Sequence, residues 1–358
     1  MRILPAGVRM MNPKLHRPEP ILHHTAKPVD RSVPPQAAAA RLRDGEMLIV
    51  ADLYTTGEAI LARLDLLLRP PPHDAPFEAR QAHRRMHRKA VLRLLAPIED
   101  HRLALADARP IGFLKELYPE RSSFVLPFAQ VQELFGAWNR YREGVHLKVL
   151  GHRLFPFYGT YVPTRVSHLE LFGTWLHQYK GPRDRAIDVG TGCGVLALML
   201  CRAGFARVLA TDINPNAIES VSRELGRLAP PPPIDLFCGD LLGDDPEPAD
   251  LIVFNPPWIR GEAHGLLDEA LVFTDGLFER FFDQACARLN ATGRVVLVFS
   301  NILELVQPDV PHPILSELER GRLRLVQKLA RRVEPSPAPD GSRRRTRERV
   351  EIWELARA

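Results

Sequence analysis

From residue 185 to the end of the chain, short unbroken apolar runs alternate with stretches in which apolar residues recur at helical spacing. Brief apolar runs bounded by glycine, proline or aspartate predict buried strands, and a period near 3.6 residues between them predicts helices. Strands are expected near 185–190, 207–211, 234–237, 250–254, 294–299, 322–328 and 348–355. Helical patterns separate the early strands, whereas the last two strands come in near succession. That order predicts an α/β fold: a seven-stranded, mostly parallel, doubly wound sheet with one reversed strand and helices on both faces.

The first 145 residues read differently. Prolines at 5, 13, 18, 20, 28, 34 and 35 interrupt every period in residues 1–45, which predicts a disordered, proline-rich arm. Between residues 46 and 145, helical spacing at Glu58–Leu68 and around Ala90–Leu95 is broken by Pro70-Pro71-Pro72 and by Pro110. This predicts a small, mainly helical accessory domain, leaving residues 146–358 to form the sheet domain.

Composition narrows the class. With 358 residues, 45% of them hydrophobic and 25% charged, the chain can bury a substantial core. Its apolar stretches fall well short of the roughly 18 residues that span a bilayer, so no membrane segment is expected. There is no secretory h-region, and Cys193, Cys201, Cys238 and Cys286 form no C-x-x-C pair, which together point to a cytoplasmic protein with reduced thiols. The thirteen histidines show no metal-ligand spacing with acids or thiols, and no metal is expected. Net charge is +5, with basic tracts at Arg80–Arg93 and at Arg343-Arg344-Arg345, Arg347 and Arg349. Nucleic-acid phosphate and plain solvation are both open readings of these tracts.

Chemistry concentrates at the predicted carboxyl ends of the strands. Asp188-Val189-Gly190-Thr191-Gly192-Cys193-Gly194 runs from a strand through a glycine-rich turn into a helix, a form that lets backbone touch a nucleotide-like ligand. Val195 stands where the dinucleotide fingerprint wants glycine, and no Gly-Lys-Ser/Thr follows, which argues against a nicotinamide, flavin or phosphate loop. Asp212 lies 22 positions after Gly190 and could accept from two ribose hydroxyls. Asp240, closing the third strand, could accept from an adenine amine, although either aspartate could equally serve a turn or cap. Asn214 and Pro215 open a helix as cap and first-turn residue, and capping alone accounts for Asn214 and Asn216.

The tetrapeptide Asn255-Pro256-Pro257-Trp258 closes the fourth strand. A planar amino group attacks poorly because its lone pair is conjugated. The Asn255 side-chain oxygen and the Pro256 carbonyl can accept its two hydrogens. Pro257 biases Pro256 to an extended form, and Trp258 offers a ring for a flat substrate.

Taken in order, these features resemble the class I methyltransferases that use S-adenosylmethionine, in the branch carrying Asn-Pro-Pro and an aromatic residue. The resemblance covers roughly residues 150–358. Its relatives include the release-factor and ribosomal-protein glutamine methyltransferases and the amino methyltransferases of ribosomal and transfer RNA. It implies a Rossmann-like sheet and S-adenosylmethionine as cofactor, contacted by Asp188, Gly190, Thr191, Gly192, Gly194, Asp212, Ile213, Asp240, Leu241 and Asn255. Asn255 and Pro256 would be catalytic, and Pro257 and Trp258 would hold substrate. The segment Tyr158–Glu170 looks like the piece that closes over the cofactor, although Arg165-Val166-Ser167-His168-Leu169 replaces the usual Arg-Pro-Glu-Thr-Glu, which speaks against a release-factor substrate. The expected acceptor is an amino group of a macromolecule, protein or RNA, selected by the accessory domain. A small metabolite acceptor and a non-catalytic cofactor-binding scaffold are the alternatives.

Overall fold

The computed structural model describes residues 14–22, 25–72, 75–163, 165–244, 246–261, 271–333 and 347–358. The chain divides into two compact units, Arg17–Arg142 and Glu143–Ala358, the latter joined by the segment ending at His16.

In the first unit the elements are β1 (Lys27–Val29), α1 (Pro35–Arg43), β2 (Leu48–Val50), α2 (Tyr54–Leu67), α3 (Phe77–Val91), β3 (Leu94–Glu99), β4 (Arg102–Leu103), α4 (Leu114–Leu117), β5 (Phe124–Pro127) and α5 (Phe128–Glu143). Helices hold more residues than strands, but a five-stranded sheet organises the unit, with β1, β2 and β3 parallel and β4 and β5 antiparallel to β3. Two expectations are corrected here. Residues 27–43 of the supposed disordered arm form β1 and α1, and the boundary expected at residue 45 falls inside this unit. Pro28 is tolerated because β1 is an edge strand, and Pro35 because the first helical turn needs no N–H from it; Ala38, Ala39 and Leu42 then bury one face of α1. The helical pattern around Ala90–Leu95 also stops early, at Val91, because Leu94 and Leu95 pair with β2 and β5 inside the sheet.

The second unit runs β6 (Val145–Leu147), β7 (His152–Leu154), α6 (Ser167–Gln178), β8 (Arg185–Val189), α7 (Val195–Arg202), β9 (Arg207–Asp212), α8 (Pro215–Leu225), β10 (Ile234–Cys238) and β11 (Ala249–Phe254). It continues through β12 (Ile259–Arg260), β13 (Val272–Phe273), α9 (Leu277–Arg288), β14 (Leu289–Ser300), α10 (Ile302–Val306), α11 (Pro313–Glu319), β15 (Leu323–Arg332) and β16 (Arg349–Arg357). The main sheet has seven strands in the order β10-β9-β8-β11-β14-β16-β15, and β16 alone is reversed. Alternate residues of each inner strand feed opposite cores: Leu251 and Val253 join one with Phe172, Trp175 and Val221, and Ile252 and Phe254 join the other with Phe278 and Phe281. Burial on both faces is why these strands read as continuous apolar runs.

Chain order reverses at β8, which pairs with β9 on one side and β11 on the other. In open α/β sheets ligands bind at such a reversal point, outside the carboxyl ends of the strands. No helix among the described residues is long and apolar enough to cross a membrane.

Candidate active site

The glycine turn sits at this reversal point. Gly190, Gly192 and Gly194 all have left-handed backbone, with φ of +65°, +54° and +82°. L-residues reach that region at a cost of about 1–2 kcal/mol, so three glycines in five positions keep the loop tight and bare. Thr191 N–H donates to the Thr211 carbonyl at 2.8 Å, and Gly192 N–H donates to Asp212 Oδ2 at 2.8 Å. The end of β9 therefore fixes the turn. Asp212 Oδ1 accepts from Asn214 N–H at 2.9 Å, which holds the carboxylate at the rim. Next to it, Ile213 exposes 61% of its surface, one of several exposed apolar side chains and, beside the rim carboxylate, a fitting face for a flat ring.

Asp188 is fully buried and accepts the Thr191 hydroxyl at 2.7 Å and the Ala197 N–H at 3.0 Å, both at Oδ2. Burial pushes its carboxyl up to about 7, the two hydrogen bonds pulling the other way. Thr191 thus serves the turn through both its hydroxyl and its N–H. On the third strand end, Leu241 is held left-handed at φ +50°, its carbonyl accepting from Thr211 Oγ1, while the exposed Asp240 carboxylate pairs with Arg280 at 3.3 Å. Arg280 belongs to α9, and nothing local in the sequence links it to Asp240.

On β11, Phe254 lies opposite Val189, which places Asn255 beside Gly190 at adjacent strand ends. Pro256 is buried, and Pro257 and Trp258 are half-buried. Trp258 is more committed than a stacking platform would be: its indole N–H donates to the Val298 carbonyl at 3.2 Å, and His168 meets its ring edge-on at 5.7 Å. Burial drives the His168 imidazole down to about 4, so it is neutral at physiological pH.

Most buried polar groups find partners, since an orphan costs about 1–3 kcal/mol. Among the described residues of this unit, two carry a buried side-chain oxygen without a hydrogen-bond partner: Asp188 Oδ1 and Asn255 Oδ1. They stand on neighbouring strands, with Asp188 opposite Val253. Bare glycine backbone, an exposed apolar face beside a rim carboxylate, and two unpaired acceptors fit a nucleoside-type cofactor bearing a cationic head, such as S-adenosylmethionine.

Other expected features are more dispersed. In α3, the His83 ring bonds the Leu68 carbonyl at 2.8 Å and His87 bonds Asp65 at 2.7 Å, while Arg84, Arg85 and Lys89 are exposed. Arg343, Arg344 and Arg345 lie outside the described residues; Arg349 N–H donates to Asn301 Oδ1 at 2.7 Å. Sequence reasoning misses a buried polar stripe on α8, Asn216, Ser220 and Glu224, beyond the capping role given to Asn216. The spacing of four residues is its only signal.

The chain is similar to known proteins over part of its length. The sequence profile of the methyltransferase small domain matches residues 171–310. The ribosomal protein L11 methyltransferase of Ralstonia nicotianae is 31% identical over 140 residues, covering 38% of each chain. That of Symbiobacterium thermophilum is 33% identical over 105 residues, 26% of this chain and 34% of the relative. This chain therefore spans little more than a third of those relatives' own length. The solved ribosomal protein L11 methylase of Lactobacillus delbrueckii subsp. bulgaricus superposes with a TM-score of 0.37 at 21% identity, over 53% of this chain and 78% of that one. Residues 171–310 match the methyltransferase small domain, and the unit containing them is built on a seven-stranded, mostly parallel sheet with one reversed strand.

Proposed function

We propose that this protein methylates a planar amino group on a macromolecular acceptor, most simply a ribosomal protein, with S-adenosylmethionine as donor. The observation that carries the reading is the unpaired, buried Asn255 Oδ1 at the end of β11, beside the glycine turn. An acceptor atom left dry and unpaired at the end of this strand is free to take a hydrogen from a substrate. The relatives named above support a ribosomal protein as the acceptor class.

S-adenosylmethionine supplies an electrophilic sulfonium methyl when bound. The glycine turn, Asp212 and Ile213 would hold its nucleoside part, and the unpaired Asp188 oxygen suits a cationic head. Asn255 Oδ1 and the Pro256 carbonyl accept the two hydrogens of the amino group and so orient its lone pair. Both dipoles are in place beforehand, and they stabilise positive charge as it develops on nitrogen. Pro256 contributes no N–H that would compete for its neighbours' acceptors. The edge-on contact with His168 and the bond to Val298 keep the Trp258 ring at a fixed tilt beside this loop.

The test incubates the purified chain with methyl-labelled S-adenosylmethionine and separate fractions of ribosomal protein, RNA and small metabolites. Label is expected in protein, on an N-methylated side chain or terminus identified by mass spectrometry. Label confined to RNA would replace the acceptor class with a nucleobase amine, and label confined to metabolites would favour a small acceptor. Cofactor binding with no transfer to any fraction would overturn the enzymatic reading.

A further inference from the structure

The segment expected to close over the cofactor is held by a device that no site motif describes. Asn216, Ser220 and Glu224 recur every four residues along α8, and all three are buried. A polar stripe on the inward face of a helix would be costly unless bonded. Each member is bonded to the extended segment that follows β7. Glu224 Oε2 accepts from Phe155 N–H at 3.3 Å, Ser220 Oγ accepts from Phe157 N–H at 3.0 Å, and Asn216 Nδ2 donates to the Tyr158 carbonyl at 2.9 Å. The helix thus presents side chains where a neighbouring strand would present backbone.

Towards the site the ties multiply. Thr160 Oγ1 donates to the Asn216 carbonyl at 3.1 Å, and Asn214 Nδ2 donates to the Gly159 carbonyl at 2.8 Å. Asn216 also grips the peptide unit of His16 from both sides, accepting from its N–H and donating to its carbonyl, each at 2.8 Å. One fully buried amide therefore joins α8, the 155–160 segment and the stretch ending at His16. The next residue along, Tyr161, brings its carbonyl 3.6 Å from where a Cβ on Gly192 would stand. The glycine turn and the Tyr161 backbone face each other across one atom's width.

We propose that Asn216 is a positioning residue for the cofactor site, setting, with His16 and the Ser220–Glu224 ladder, the height of Tyr161 over the glycine turn. The idea rests on the reading that this turn binds S-adenosylmethionine. Capping does not explain Asn216, because Asn214 is the cap and its Oδ1 takes the Asn216 N–H at 3.0 Å. The Asn216 side chain is spent wholly on segments distant in sequence.

Asn216→Ala, His16→Pro and the double variant would be compared with the unaltered chain by calorimetric binding of S-adenosylmethionine and by hydrogen exchange at the amides of residues 157–161. His16→Pro removes the N–H that Asn216 accepts, at the cost of a fixed φ at residue 16, and changes no residue of α8, so it keeps the test open were Asn216→Ala to unfold. Each single variant is expected to raise exchange at 157–161 and weaken cofactor binding about tenfold, while kcat at saturating cofactor stays within about twofold. The double variant should add little to Asn216→Ala, because the bond that His16→Pro removes is one of the three already lost with the Asn216 side chain. Faster exchange with unchanged affinity would overturn the positioning role and leave a structural tie. Unaltered protein that binds no S-adenosylmethionine would refute the cofactor reading itself, a failure the exchange data would not mimic.

Discussion

The carboxyl edge of the sheet and the inward face of α8 belong to one unit and treat buried polar groups in opposite ways. On α8, Asn216, Ser220 and Glu224 each meet a partner across 58 to 69 residues of chain, which makes that face a closed framework. At the strand ends, Asp188 Oδ1 and Asn255 Oδ1 are buried and unpaired. Either arrangement removes oxygens from water, but only the first recovers a hydrogen bond for each. The edge leaves two acceptors open, and on the proposed reading the hydrogen bonds withheld there are available to cofactor and substrate. Between these two places, it is satisfaction rather than burial of the side-chain oxygens that differs.

The sharpest way to break this distinction is Asn255→Ala. Removing one preorganised acceptor is expected to lower transfer by about 10²–10³-fold, the usual scale for a lost site dipole. Folding stability should change little or improve, because an unsatisfied group is removed, and cofactor affinity should stay within about threefold. Steady-state transfer, calorimetry and thermal unfolding on the same preparation check all three. Full retained activity would show that the open acceptor has no part in the chemistry.

Two buried imidazoles form a third category, polar rings that stay neutral. His168 and His312 are both driven down to about 4, by burial foremost, against about 6.5 when unfolded. Between those values the unfolded chain binds more protons than the folded one, so stability present above pH 6.5 is lost as pH falls towards 4. Each ring should remove roughly 1.5 kcal/mol between pH 6.5 and 5, because a tenfold rise in proton activity costs about 1.4 kcal/mol wherever the two states differ by one bound proton. Asp188 works in the opposite sense: with its carboxyl near 7 in the fold, its contribution improves as pH falls from 7 towards 4. Denaturant melts of His168→Asn and His312→Asn at pH 7 and pH 5 separate the three, each substitution flattening the acid slope by about its ring's share. An unchanged slope in both would mean that the rings are protonated inside the fold.

The closed face predicts a different loss. Glu224→Ala orphans the Phe155 N–H and should cost about 1–3 kcal/mol of stability, with transfer at saturating cofactor unaltered. Chemical denaturation and initial rates report the two effects separately. A loss of transfer matching that of Asn255→Ala would dissolve the division between framework and site.

These two faces are unequally legible in the sequence. Strands such as Leu251–Phe254 are covered on both sides, so they read as unbroken apolar runs, and those before the crossover helices end at or next to a glycine, aspartate or asparagine. The seven strands, their mostly parallel pairing and the presence of one reversed strand follow from that pattern, whereas the spatial order comes from the structure. The α8 ladder does not, because a polar residue on a buried helix face is meaningful only once its remote partner is known, and Asn216 with Phe155–Thr160 is a tertiary fact. The first unit hides its sheet for another reason. β1 and β2 are three residues each, too short for any period, and the apolar β3 follows α3 so closely that the two patterns merge around Leu94. Proline density in residues 28–35 suggests disorder, yet an edge strand and a first helical turn are the places that accept proline.

Asp240 tests where the open edge ends, and the smallest effect is expected there. The sequence offers its carboxylate to an adenine amine, but it pairs with Arg280 at 3.3 Å, both side chains about half exposed, at 47% and 50%. An ion pair this wet contributes about 0–1 kcal/mol and weakens with salt, so Arg280 neither closes the carboxylate off nor stabilises the fold appreciably. Arg280→Ala should therefore leave thermal unfolding nearly unmoved. If Asp240 faces the cofactor, Asp240→Asn weakens binding about threefold while Arg280→Ala leaves it unchanged or slightly tighter, since a competing partner is gone. If the pair is only a surface contact, both substitutions are silent. Unlike Asn255, Asp240 already has a partner, and a silent result would mark the third strand end as the point where the open edge gives way to ordinary surface.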